Sequence, residues 1–286
     1  MRKQLALAVA VLGAGAALAM PAQAANRDEG PRVTGLTTAG DLVVFDAGSP
    51  GKVERAGKVS GLKDDMRVIG IDYRVQNGKL YAVGDKGGVY TLDGRARATK
   101  VSQLTVALSG KTFGVDFNPA ANRLRVISDA GQNLRHNLDD PNGAPAAGMT
   151  ATDGTLTNPP VPPAAAQTAL GVTGAGYTNN DLDATTATTL FDVDTTGDQI
   201  SAQSPANAGN LAPTGKLGAD AGADAGFDVY SQLRKGVTVA NTAYATLKVG
   251  GAYRFYTVNV LTGSATQVGT FPMKQQVSDI AVQLAS

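Results

Sequence analysis

The chain has 286 residues, with 25 basic and 24 acidic side chains, one histidine, and neither cysteine nor tryptophan. These counts exclude thiolate catalysis, thiolate zinc, iron–sulfur clusters and any multi-histidine metal centre. A charge near zero offers nothing to attract nucleic acid or an anionic membrane, and 5% aromatic residues give little with which to stack sugars or single strands.

At the start, Arg2 and Lys3 precede the apolar stretch "LALAVAVLGAGAALAM", and Ala22-Gln23-Ala24 follows as a small-x-small cleavage site. This pattern predicts a secretory signal over residues 1–24. A flexible tail is expected over 25–32 and a single domain over 33–286. No later apolar run is long enough to anchor the chain, and with no cysteine a bacterial lipid anchor is excluded. Cleavage leaves 262 residues with 23 basic against 24 acidic. The expected product is secreted, extracellular or in the cell-envelope space, and monomeric. Without disulfides its stability must come from a buried core, which a chain of this length can supply.

After the tail comes "LVVFDAGSPGKVERAGKV", a hairpin pattern in which period-two alternation runs to an Asp, turns through Gly and resumes. "IGIDY" (69–73), "KLYAVG" and a second hairpin, "GVYTLDGRARATKV", follow. The same triplet then recurs as "FGVDF" (113–117), "RLRVIS" and "NLRHNLDDPNGAPAAG". A Pro-rich stretch, "NPPVPPAAA", predicts a surface insertion at about 157–168. Beyond it lie "TGAGY" (173–177), "TLFDVDTTGDQISAQS", "AGFDV" (225–229), "GVTVAN", "RFYTVNVLTGSATQVG" and finally "SDIAV" (278–282).

The five short motifs recur at intervals of 44, 60, 52 and 53 residues. One repeat is thus four short strands in about fifty residues, the unit of a β-propeller blade. The last motif has no hairpin after it, and the first hairpin lacks such a motif before it. Joining the two ends completes a fifth blade and removes an exposed sheet edge. The prediction is therefore an all-β, five-bladed propeller of four-stranded blades, closed by pairing N- and C-terminal strands. On this alignment His136 occupies the third strand of its blade, at the place of Phe191 in the next copy. A structural histidine is the preferred reading, since no nucleophile elbow accompanies it. The stretch Leu182–Thr188 shows no clear second strand.

The run "GIDYRVQNGKLYAVGDKGGVYTLD" with "FGVDFNPAANRLRVISDAGQNLRHN" resembles a family of exported bacterial proteins known as domain of unknown function 4394. The likeness extends through "LFDVDTTGDQISAQSPANAGNLAPTGKLG" and covers most of residues 33–284. It implies the repeat architecture and export. The family carries no assigned activity or catalytic residues, so the resemblance implies no chemistry.

Three aspartates, Asp72, Asp116 and Asp228, hold one equivalent position on the predicted innermost strands, with Gly176 and Ala281 in the other two. Lining a central channel, they would suit a hard cation such as Ca²⁺, or share a proton. The plainer reading is that each accepts backbone N–H groups and fixes the turn after its strand. A second cluster, Arg123, Arg125, Gln132, Asn133 and Arg135, could clamp a carboxylate or phosphate. Its structural alternative, preferred here, is pairing with Asp129 and Asp139 between blades. "DVDTTGD" (192–198) imitates a calcium loop, but Gln203 stands where a bidentate Glu is required, so a turn is expected. "GDKGG" (84–88) is expected to be an inter-strand loop.

No organic cofactor is evident. The leading functional expectation is a non-catalytic extracellular binding or scaffold protein for a small molecule, glycan or protein ligand, with no nucleic-acid or membrane partner. The alternative is a glycoside or lactone hydrolase with an Asp-lined site in the channel. A redox propeller is the third reading, and no covalent cofactor attachment supports it.

Overall fold

A computed structural model describes residues 30–285. The predicted signal, residues 1–24, and the first part of the predicted tail lie outside the described residues. The strands run β1 (Arg32–Thr37), β2 (Asp41–Asp46) and β3 (Glu54–Lys58). Next come β4 (Val68–Arg74), β5 (Lys79–Gly84), β6 (Gly88–Leu92) and β7 (Ala98–Gln103). They are followed by β8 (Phe113–Asn118), β9 (Arg123–Ser128), β10 (Asn133–His136) and β11 (Thr150–Thr152). A two-stranded hairpin, β12 (Thr157–Asn158) and β13 (Gln167–Thr168), forms the Pro-rich insertion. Then come β14 (Val172–Tyr177), β15 (Leu190–Asp194), β16 (Gln199–Gln203) and β17 (Leu211–Lys216). The chain ends with β18 (Ala225–Arg234), β19 (Val237–Val249), β20 (Ala252–Val258), β21 (Ala265–Thr270) and β22 (Val277–Val282).

These strands form five four-stranded antiparallel sheets. Four are simple meanders: β4–β7, β8–β11, β14–β17 and β18–β21. The fifth has the order β22-β1-β2-β3, with Val33 opposite Val282 and Thr37 opposite Val277. Chain ends separated by the whole domain thus share one blade, as the repeat count requires. The first strand takes in Arg32, one residue before the expected boundary.

The innermost strands β4, β8, β14, β18 and β22 touch in that order, and β22 returns to β4. Between them lie five apolar clusters, one per blade interface. The one richest in aromatic rings is at the closing blade, where Phe45 meets Phe255 and Phe271 edge-on at 5.1 and 5.3 Å. Such aromatic pairs contribute roughly 0.5–1.5 kcal/mol beyond burial. Glycine at the second motif position permits the tight ring. A Cβ on Gly114 would stand 2.8 Å from the Ala175 nitrogen, and one on Gly226 would stand 2.6 Å from the Asp279 Cα.

One blade departs from the expected alignment. "LFDVD" is the second strand of its blade, and the third is "QISAQ". A loop over residues 178–189 delays the second strand, and β17 after the short 3₁₀ turn Ala206–Ala208 supplies the fourth. Phe191 is therefore not the counterpart of His136. His136 does lie on a third strand, fully buried, with Nε2 2.8 Å from Ser102 Oγ and Nδ1 2.9 Å from Thr150 Oγ1.

Candidate functional site

An innermost strand pairs on one side only, so alternate N–H groups on its other edge face the channel without a sheet partner. A buried donor left so costs about 1–3 kcal/mol. The aspartates meet this need. Asp72 accepts from its neighbour Tyr73 at 2.6 Å and, across the blade boundary, from Phe117 at 2.7 Å. Asp116 accepts from Tyr177 of the following blade at 3.3 Å. Asp228 accepts from Val229 at 2.5 Å and from Val282 of the closing blade at 2.5 Å.

Tyr73, Phe117, Tyr177, Val229 and Val282 are the residues just after the aspartate position in all five motifs. Three carboxylates thus satisfy a complete ring of five edge donors, including those of the two blades that carry Gly176 and Ala281 instead. The expectation that the aspartates accept backbone N–H groups holds, but three of the donors belong to the next blade and not to the turn that follows.

The same geometry draws like charges together. One oxygen from each of Asp72, Asp116 and Asp228 lies within 4.8 Å of the other two, and the residues are 6%, 1% and 3% exposed. Burial, then the charge of Asp228, pushes the Asp72 carboxyl well above its ordinary value. Burial, then Asp72 and Asp228, does the same to Asp116. Burial lifts Asp228 to about 6 against its two backbone donors.

A fourth carboxylate belongs to the channel and was not singled out from sequence. Asp279 stands at the motif's glycine position on β22 and accepts from the Ile71 nitrogen at 2.8 Å. Burial raises it well above the ordinary carboxylate range. It was legible as the one motif whose second residue is not glycine. Asp279 also lines a cavity of about 190 Å³ at the starts of the innermost strands, together with Asp224, Arg67, Lys111, Thr112 and Ser278. Asp224 accepts from the Tyr253 hydroxyl at 2.7 Å, and burial raises its carboxyl too.

The arginine cluster does converge, but on protein partners. Arg125, 2% exposed, donates to Asn133 at 2.7 Å, Asp153 at 2.6 Å, Asn207 at 2.7 Å and the Tyr177 hydroxyl at 3.2 Å. Arg135, opposite Arg125 in register, shares Asp153 at 3.1 Å. Arg123 donates to Asp140 at 3.0 Å and to three carbonyls. Gln132 holds Ser109 and Ala107, and Asn133 holds Gly154 and Ala206. Within the cluster, Arg125 and Asn133 form a strut between the β8–β11 and β14–β17 blades, while Arg123, Gln132 and Arg135 bond loops beside their own blade. The cluster's acids are Asp153 and Asp140, not the expected Asp129 and Asp139. Asp139 pairs with Arg74, and Asp129 caps the Lys111 and Thr112 nitrogens.

The "DVDTTGD" stretch is a turn: Asp194 accepts from Thr196 and Gly197. Asp192 is wholly buried, both its oxygens lack a partner, and burial pushes its carboxyl well up.

The family of domain of unknown function DUF4394 matches residues 41–281. The chain belongs to that family. No curated protein matches it. Among solved structures it is similar to the Dos1 propeller, at 11% identity over 82% of this chain and 58% of that one, TM-score 0.38. It is also similar to a protein from Lactobacillus plantarum (14% identity, 87% and 98% coverage, TM-score 0.39). A third is AztD from Citrobacter koseri (9%, 85% and 71%, TM-score 0.31). The chain spans little more than half of the Dos1 structure. Its own strand pairing establishes the ring of blades.

Proposed function

We propose that this DUF4394 protein is an exported, non-catalytic binding propeller that takes a small polar ligand at the mouth of its central channel. One observation carries this reading: Arg67, Lys111, Asp224 and Asp279 meet around one cavity at the starts of the innermost strands. Two cations and two carboxyl groups suit a ligand bearing an anionic group and several hydroxyls. The central aspartates are unsuited to acid–base work on such a ligand, because all three are buried and five of their six oxygens are committed to strand edges.

A glycan and metabolite binding screen tests the reading, repeated with Arg67→Ala/Lys111→Ala and with Asp279→Ala. Binding lost in both variants supports it. A binding profile unchanged in both, or no ligand for the parent, overturns it. Hydrolysis of glycosides or lactones at the same mouth is a second reading. It is favoured by the raised carboxyls of Asp224 and Asp279 on one cavity. Turnover of chromogenic substrates, lost in Asp279→Asn, would select it over simple binding.

A further inference from the structure

We propose that the centre of the ring is a site for a hard divalent cation of the Ca²⁺ type, ligated by Asp72, Asp116 and Asp228 and entered past Asp279. Three carboxylates offer six oxygens, and the strand-edge donors account for five. The sixth, Asp116 Oδ2, is buried with no hydrogen-bond partner. An oxygen so placed calls for a proton or a cation. The carboxylates of Asp228 and Asp279 bear on both Asp72 and Asp116. A dication offsets that crowding where a single shared proton offsets one charge of three.

The dimensions agree. Oxygens about 2.3–2.6 Å from Ca²⁺ can stand up to about 5 Å apart, and the three ligand atoms lie within 4.8 Å of one another. Mg²⁺, at about 2.1 Å and strictly octahedral, fits a looser triangle less well. An oxygen that accepts one N–H retains a second lone pair, so ligation leaves the blade-to-blade braces intact. Asp279 lies two residues earlier in the motif register, about 7 Å along the strand direction, and it faces the mouth cavity. It forms a carboxylate step between solvent and the three ligands. This site is deeper than the proposed ligand pocket and does not depend on it.

The test combines metal analysis of the purified chain by plasma mass spectrometry with melting after EDTA dialysis. The expected result is one equivalent of calcium and a melting temperature that rises about 3–6 °C at ten times Kd. Asp116→Asn should abolish both, since it keeps the oxygen that serves Tyr177 and gives up the charge. Asp228→Asn is the second variant if the first does not fold. No bound metal together with a melting temperature indifferent to about 1 mM Ca²⁺ overturns the proposal. So does a Ca²⁺ shift retained in full by either variant, which would put the ion elsewhere.

Discussion

Arg125 is the sharpest place to separate a binding cluster from a strut. Replacing it with Met keeps much of the stem and removes every donor. Its loss orphans the Asn133 and Asn207 side-chain oxygens and takes one of two arginines from Asp153, which retains Arg135. Breaking a buried pair costs about 3–5 kcal/mol when the remaining charge has no other partner. Because Arg135 stays on Asp153, that cost does not arise, and the lost bond itself counts about 1 kcal/mol. The stranded oxygen of buried Asn133 costs about 1–3 kcal/mol, whereas exposed Asn207 turns to water. We expect Arg125→Met to lose roughly 3 kcal/mol and Arg125→Ala roughly 4, the cavity adding the difference. For a domain of this size that is a melting temperature lower by about 6–16 °C. Far-UV circular dichroism melts, with urea titrations for the free energy, provide the assay. A melting temperature within a degree of the parent would refute the strut and reopen this surface to a ligand.

Two further expectations concern burial and close approach. His136 is held neutral by burial, with its pKa lowered from 6.5 to about 4. The unfolded chain therefore binds a proton that the folded one refuses, and the stability His136 contributes above pH 6.5 is lost as pH falls toward 4. The limit is about 3 kcal/mol. Asp228, raised to about 6, acts with the opposite sign over an overlapping window, so the readout is the parent minus His136→Gln. That difference should shrink by about 3 kcal/mol between pH 7 and 4, and a flat difference would contradict the assignment. Gly226→Ala places a methyl against the Asp279 backbone. It should cost about 1–3 kcal/mol in urea unfolding, where an unchanged midpoint would show that the strands are not so close.

The ring was legible in the sequence because three of the five blades repeat a Gly-x-Asp core, and a fourth keeps its glycine, on strands whose neighbours need both residues. The glycine admits the adjacent strand, and the aspartate serves its free edge. The closing blade was legible from what each chain end lacked. The β14–β17 blade was misaligned because its second strand follows a loop that carries no periodic signal. Asp224 and Asp153 stand outside any repeated strand, so nothing in the pattern pointed to them. Asp279 was hidden differently: it broke the pattern at the glycine position, and the alignment sought aspartate two residues later. The convergence of Arg125 on Asn207 links residues 82 apart in sequence, which only the packed blades bring together.

Three carboxylates hold five strand edges around the channel. Backbone hydrogen exchange of Tyr73, Phe117, Tyr177, Val229 and Val282, followed by NMR, measures this directly. All five amides are expected to exchange only on global unfolding, although none has a sheet partner on the channel side. Asp72→Ala should release Tyr73 and Phe117 while Val229 and Val282 stay protected. Fast exchange of all five in the parent, or no selective release in the variant, would contradict that role of the carboxylates.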